Sequence, residues 1–223
     1  MGHSNLRLRT LLAGLHASGA TRLMAPITRG IGVVLMLHQV DPAPPPAFSP
    51  NRILSVTPQF LEATIQHVLA LGYDIVSLDE AHARIVADGA GPARPFACFT
   101  FDDGYRDNRD HALPIFKRHG VPLAIYIPTD YPDGDGDLWW LALEEAIRRL
   151  ERLEYDRDGE ARCLPARTVA EKYAAFDDIY WWLRTLDETR LRAEVQRVCR
   201  VAGVDASGLC RQLILSWPEM KAM

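Results

Sequence analysis

Cysteine is scarce in this sequence: four residues in 223, at Cys98, Cys163, Cys199 and Cys210, far apart and with no C-x-x-C pair. That spacing excludes a disulfide framework and a cysteine-based zinc module, and predicts reduced, mostly buried thiols. Long runs of one charge are also missing. Lys and Arg total 25 against 29 Asp and Glu, a net charge of -4, which gives no electrostatic case for a nucleic-acid partner. No segment approaches the roughly 18 uninterrupted apolar residues of a membrane span, so none is expected. The amino-terminal stretch from Arg7 to Arg22 begins basic and carries leucines, but His16 and Arg22 interrupt any core long enough for a signal peptide. It reads as an amphipathic helix, and the missing signal favours the cytoplasm.

What is present is ordinary globular composition, with 48% hydrophobic residues, enough for one domain with a substantial core. Ile31-Gly-Val-Val-Leu-Met-Leu-His38 is a continuous apolar run of the kind found in strands buried on both faces. A proline-rich loop from Pro42 to Pro50 follows. Thr57-Pro58 supplies an N-cap and a proline at the first helical position, and Phe60, Leu61, Ile65, Val68, Leu69 and Leu71 mark a helix stopping at Gly72. Then come a strand at Ile75-Val76, a helix from about Asp79, a turn over Gly89-Ala-Gly-Pro92 and a strand from Phe96 to Phe101. A helix from Asn108 to His119 ends at Gly120, and a strand from Leu123 to Ile127 follows it. Strand and helix alternate, which predicts parallel α/β architecture. After Asp137 the expectation is a helix from Leu138 to Leu153, a hairpin around Asp158-Gly159, and two helices from Thr168 to about Ala202.

The apolar strand ending Phe99-Thr-Phe-Asp-Asp-Gly-Tyr105 sets two carboxylates side by side. Adjacent acids at the mouth of a core repel and lose solvation, so at least one should have its pKa pushed up unless something positive stands nearby. In parallel α/β folds the chemistry gathers at the carboxyl ends of strands, where Asp102, Asp103 and His38 all fall. A metal ion would resolve the charge problem, one carboxylate coordinating it while the other takes a proton from water. Gly104 would let backbone N–H groups approach an oxyanion. The plainer alternative is that Asp102 and Asp103 open a loop and cap the following helix.

Thr100-Phe-Asp-Asp-Gly-Tyr105 resembles the signature of the polysaccharide deacetylases, carbohydrate esterase family four, which includes the nodulation-type chitooligosaccharide deacetylases. Leu35-Met-Leu-His38 is similar to that family's first barrel strand. Thr57-Pro-Gln-Phe60, Leu71-Gly-Tyr73, Asp107-Asn108, Pro114-Ile-Phe116 and His119-Gly-Val-Pro122 follow in the expected order. The resemblance implies an α/β fold, a distorted (β/α) barrel, and a hydrolase removing N-acetyl groups from carbohydrate with a divalent metal, usually Zn2+. By position it makes Asp102 the general base, Asp103 a metal ligand and Tyr105 the residue whose backbone N–H holds the oxyanion, with His38 near the site. For His38 a satisfied, half-buried histidine is an equal alternative.

The family's other two ligands belong to a motif H-[ST]-x-x-H-P, and no such motif occurs among the seven histidines here. One carboxylate cannot make a catalytic zinc site, which takes about three protein ligands. Ser216-Trp-Pro-Glu219 is a capping box that announces a helix, yet only four residues follow it. A helix so short is far below the ~12 residues at which isolated helices become marginal, and nothing follows to dock it. The resulting expectation is one domain over residues 1–223, with the front part of the barrel at 30–137 and a mostly helical insertion at 138–213. The chain would be cut before its second metal motif and inactive by itself, and would self-associate through exposed barrel edges. The alternative is a non-catalytic remnant or binding module without a metal site.

Two further features have plain readings. Asp133-Gly-Asp-Gly-Asp137 alternates acids with Glu144 at the twelfth position, but Leu138 sits where a calcium loop needs glycine, so a solvated turn is expected. Trp139-Trp140 and Trp181-Trp182, at helical spacing with Leu143, Ile147, Leu183 and Leu186, are expected to pack rather than to form a sugar platform.

Overall fold

A computed structural model describes residues 2–87 and 94–223; the turn expected over Gly89-Ala-Gly-Pro92 lies outside them. The amino terminus forms two helices, α1 (Gly2–Ala17) and α2 (Ala20–Thr28), where the sequence suggested one. The break falls at Gly19, whose φ of 73° is left-handed and ends a right-handed helix. Next come β1 (Gly32–Leu37), β2 (Gln39–Val40), a 3-10 turn over Pro50–Leu54, β3 (Ser55–Val56) and α3 (Pro58–Ala70). Thr57 caps α3 as expected, its Oγ1 accepting from the Phe60 N–H at 3.1 Å. Then follow β4 (Asp74–Ile75), α4 (Leu78–Val86) and β5 (Phe96–Phe101), whose six residues are all buried. The helix expected over residues 108–119 is a π-type turn, Asn108–Ala112, running into α5 (Leu113–His119), and β6 (Ala124–Ile125) is shorter than anticipated.

β5 is the centre of a parallel sheet. β1 pairs with it along its whole length, from Gly32 opposite Phe96 to Leu37 opposite Phe101. On the other side β4 pairs with its start and β6 with its end. Among the described residues these four strands form an open sheet, and β2 pairs with β3 separately. Alternation along β5 divides its side chains between two faces. Ala97, Phe99 and Phe101 pack on Leu61, Ile65 and Val68 of α3 and on Ala112, Ile115 and Phe116. Phe96 and Cys98 meet Val76 and Ala81.

After the sheet come α6 (Asp130–Asp133), α7 (Trp139–Arg149), β7 (Arg152–Arg157), β8 (Glu160–Pro165), α8 (Val169–Leu183), α9 (Glu188–Ala202), α10 (Ala206–Leu213) and α11 (Trp217–Lys221). The helix expected to reach Leu153 stops at Arg149, because Arg152–Arg157 pairs antiparallel with Glu160–Pro165 in the hairpin anticipated at Asp158-Gly159. Lys172 closes the end of α7, its Nζ donating to the carbonyls of Ile147 at 2.7 Å, Arg148 at 3.0 Å and Leu150 at 2.7 Å. The second core joins Leu143 and Ile147 of α7, Leu153 and Tyr155 of β7, Ile179 and Leu183 of α8, and Val195 and Val198 of α9.

The tryptophans mostly pack. Trp139 stacks on Tyr180 at 5.4 Å, and Trp182 is buried against Tyr155, while Trp181 is exposed. All four cysteines are free thiols, three buried and Cys163 exposed. The Asp133–Asp137 segment differs from the solvated turn expected. Asp133 Oδ1 accepts from the Trp217 indole N–H at 2.6 Å, and Asp137 is buried against Arg192 at 2.6 Å. Glu144 is likewise buried and held by Asn51 and Arg148.

Candidate active site

β5 hands its ladder on to the acid pair: the Asp102 N–H donates to the Leu37 carbonyl at 2.9 Å, where β1 ends. The chain then turns sharply, with Asp103 at φ 70° and Gly104 at φ 73°. Asp is one of the few side chains that tolerates this region. Gly104 is needed there for a second reason, since a Cβ on it would lie 2.9 Å from Ile127 Cγ1. Neither carboxylate caps a helix; the following turn begins with no side-chain capping bond. The turn thus projects Asp102 and Asp103 from the carboxyl end of the sheet.

Burial pushes the half-buried Asp103 carboxyl above its usual range, and the adjacent Asp102 adds to this; His38 beside it and the Tyr105 hydroxyl pull it back. His38, brought from the end of β1, is the basic side chain that stands beside the acid pair. Asn108, fully buried, fixes that end: its Nδ2 donates to the His38 carbonyl at 2.8 Å and to Asp107 Oδ1 at 2.8 Å. Asp107 itself is pushed up to about 7, chiefly by burial, against the help of the Val40 N–H.

Beneath the turn the Tyr105 side chain is buried, and burial with the nearby Asp103 raises its phenol above the usual range. The buried Tyr105 Oη faces Asp103 and Trp140 Nε1 without a hydrogen bond of good geometry to either, and Asn108 Oδ1 likewise has none. Such orphaned polar atoms concentrate where water or a ligand belongs.

The carboxyl-terminal segment docks directly on this turn. The Leu215 N–H donates to the Gly104 carbonyl at 3.0 Å, and Tyr105 bridges Ile214. Arg106 grips Glu219 with both faces of its guanidinium, Nε to Oε1 at 2.9 Å and Nη2 to Oε2 at 3.2 Å, and also donates to the carbonyls of Gln212 and Ile214. Arg109 Nη1 adds a bond to Glu219 at 2.7 Å, and the Ser216 N–H and Oγ add two more at 2.8 and 2.9 Å. Arg106, then the Ser216 N–H, holds the Glu219 carboxyl well below the usual carboxylate range. This corrects the expectation that nothing would dock the short last helix: residues of the acidic motif dock it. Sequence reading missed Arg106 and Arg109; it named Asn108 only as a helix start and within the resemblance, and Trp140 only as a packing residue. The one available signal was Glu219, whose capping-box role concealed a second use.

Among the described residues no group of three His, Cys, Asp or Glu side chains is arranged to hold a metal ion. Asp103 with His38 beside it supplies fewer donors than the roughly three a catalytic zinc takes. The residues present do not fit a complete zinc centre.

A stretch of 94 residues, 42% of this chain, is 29% identical to the protein named "Putative polysaccharide deacetylase YxkH" of Bacillus subtilis (strain 168), covering 30% of its length. Among solved structures, Streptococcus pyogenes deacetylase PplD in complex with acetate is 26% identical with a TM-score of 0.39, over 45% of this chain and 43% of that one. IcaB from Ammonifex degensii is 22% identical with a TM-score of 0.37, over 43% and 37%. The matches thus span less than half the length of each of these relatives. No family model matches the chain. Over about two-fifths of its length the chain is similar to a polysaccharide deacetylase.

Proposed function

We propose that this chain carries the carboxylate and oxyanion-binding half of a carbohydrate N-deacetylase site, a hydrolase acting on the amide carbon–nitrogen bond of N-acetylated sugars. The observation that carries the reading is the Asp102-Asp103-Gly104 turn, left-handed at its second and third residues and set at the carboxyl end of a buried parallel strand beside His38. The similarity to a polysaccharide deacetylase over the 94-residue stretch supports it. The four parallel strands are then part of a distorted (β/α) barrel.

In this reading Asp102 accepts a proton from water as the water oxygen bonds to the acetyl carbonyl carbon. The Tyr105 backbone N–H donates to the oxyanion, and the tight Gly104 turn is what allows that approach. As the carbon–nitrogen bond breaks the nitrogen takes the proton that Asp102 received from water, which restores the carboxylate and leaves acetate and a free amino sugar. Asp103 is the carboxylate that would serve as a ligand to a divalent metal such as Zn2+. A metal would polarise the carbonyl and the water; since the donor set here is incomplete, no step above runs through it. That incompleteness favours a second reading, a binding module that recognises acetylated sugar without hydrolysing it.

Backbone amide NMR during titration with N-acetylated chitooligosaccharides tests the site. The proposal expects shifts centred on Gly104 and Tyr105, weakened several-fold in Asp102→Asn. Shifts confined to another surface would refute it. With its donor set incomplete, this chain is expected to release no acetate when Zn2+ is added; acetate release would show that its own residues suffice for hydrolysis.

A further inference from the structure

We propose that α1 and α2 form a docking element for the surface of an anionic lipid bilayer. The first 40 residues contain Arg7, Arg9, Arg22 and Arg29 but no Asp or Glu, the first acid being Asp41. This segment carries +4 in a chain whose net charge is -4.

Its apolar residues are outward. Leu8, Leu11, Leu12 and Leu15 stand at i, i+3, i+4 and i+7, so they share one face of α1, and all four are between 42% and 61% exposed. Leu23 and Ile27 of α2 are each 79% exposed, with Met24 exposed between them. The principal packing partner of α1 is α2, not either core. Scattered exposed leucines are ordinary; a four-residue stripe continued on a second helix is a surface built to be covered.

The charge pattern selects the occupant. At about 100° per residue, Arg9 and His16 lie roughly a quarter-turn round α1 from the leucine stripe. Arg9, Arg22 and Arg29 are exposed. A second copy of the hairpin would bring arginine rims against arginine rims, with no acid in the segment to pair them. An anionic bilayer offers an apolar interior to the leucines and negative headgroups to the arginines together. α1 has 16 residues, and no described helix is long and apolar enough to cross a membrane, so the element lies on the surface.

Co-sedimentation of the 223-residue chain with vesicles tests this. Vesicles of phosphatidylcholine containing phosphatidylglycerol should bind it at least ~10-fold more strongly than phosphatidylcholine alone, and high salt should erode the difference. The double substitution Leu11→Glu with Leu15→Glu, or Arg9→Glu with Arg22→Glu, should each cut binding by ~10-fold or more, with the melting temperature unchanged because these residues belong to neither core. No vesicle binding, or equal binding to both vesicle types, would overturn the proposal. So would a concentration-dependent dimer, seen by sedimentation velocity, that the leucine double substitution abolishes without affecting vesicle binding.

Discussion

The sheet region and the helical region that follows it solve burial differently. The helical region is nearly closed: α7, α8 and α9 and the β7–β8 hairpin enclose one core, into which Phe48 from the loop after β2 also packs, and even the carbonyls ending α7 are met by Lys172. The sheet region encloses α3 and α5 against β5, yet leaves β1 open along its outer edge, with Val34 50% and Met36 65% exposed. The candidate site sits with the less closed region. A strand end with two acids cannot be sealed in a core without neutralising them, so the acid pair stays at the rim of the sheet.

Hollowing each core should have the largest effect. Phe99→Ala, removing a ring that packs on Phe116 at 5.3 Å, should cost about 4 kcal/mol, and Ile179→Ala in the helical core about 3 kcal/mol. Calorimetry should show one transition lowered by either change. Two transitions, each responding to one substitution, would make the regions independent units.

The next largest effect is the pH dependence that Asp107 gives the sheet region. Asp107, pushed up to about 7 by burial, binds its proton more tightly in the folded chain than in the unfolded one, where an aspartate titrates near ~4. The protonated folded form therefore favours stability below the unfolded value, and this contribution is lost as pH rises through about 7. Asp107→Asn should flatten the loss and raise stability at pH 8 by roughly 2 kcal/mol, read from urea unfolding at several pH values. An unchanged pH slope would contradict the burial argument.

A smaller effect falls on the joint between sheet and carboxyl terminus. Glu219→Gln keeps the shape but removes the charge that Arg106 and Arg109 share. A cost of about 2 kcal/mol is expected, appearing as roughly 30-fold faster hydrogen exchange at the Leu215 amide, with Phe99 unaffected. Smallest in stability is the double substitution Val34→Lys with Met36→Lys, within about 0.5 kcal/mol. Exposed edge strands template pairing with other chains. Sedimentation velocity should therefore show association of the parent chain and its loss in this variant.

Much of this was legible in the sequence because it is local. The β5 boundaries, the Thr57 cap and the Asp158-Gly159 hairpin follow from apolar runs and turn chemistry a few residues long. The positions of Asp102 and Asp103 at a strand end followed from the same run. What could not be read is non-local. The Arg106–Glu219 pair spans 113 positions, and no periodicity announces it. The end of α7 at Arg149 was hidden because Leu150 and Leu153 fit a helical spacing as well as a strand; tertiary pairing with β8 decided it. Tyr105 Oη and Trp140 Nε1 belong to segments 35 positions apart in the sequence, and only folding sets both beneath Asp103.

Calorimetric titration with Zn2+, comparing the parent chain with Asp103→Asn, tests the account most directly. The prediction is weak binding in the parent, lost in Asp103→Asn, with no acetate released from chitooligosaccharides by the chain alone. Tight binding indifferent to Asp103, or tight binding accompanied by acetate release, would contradict it.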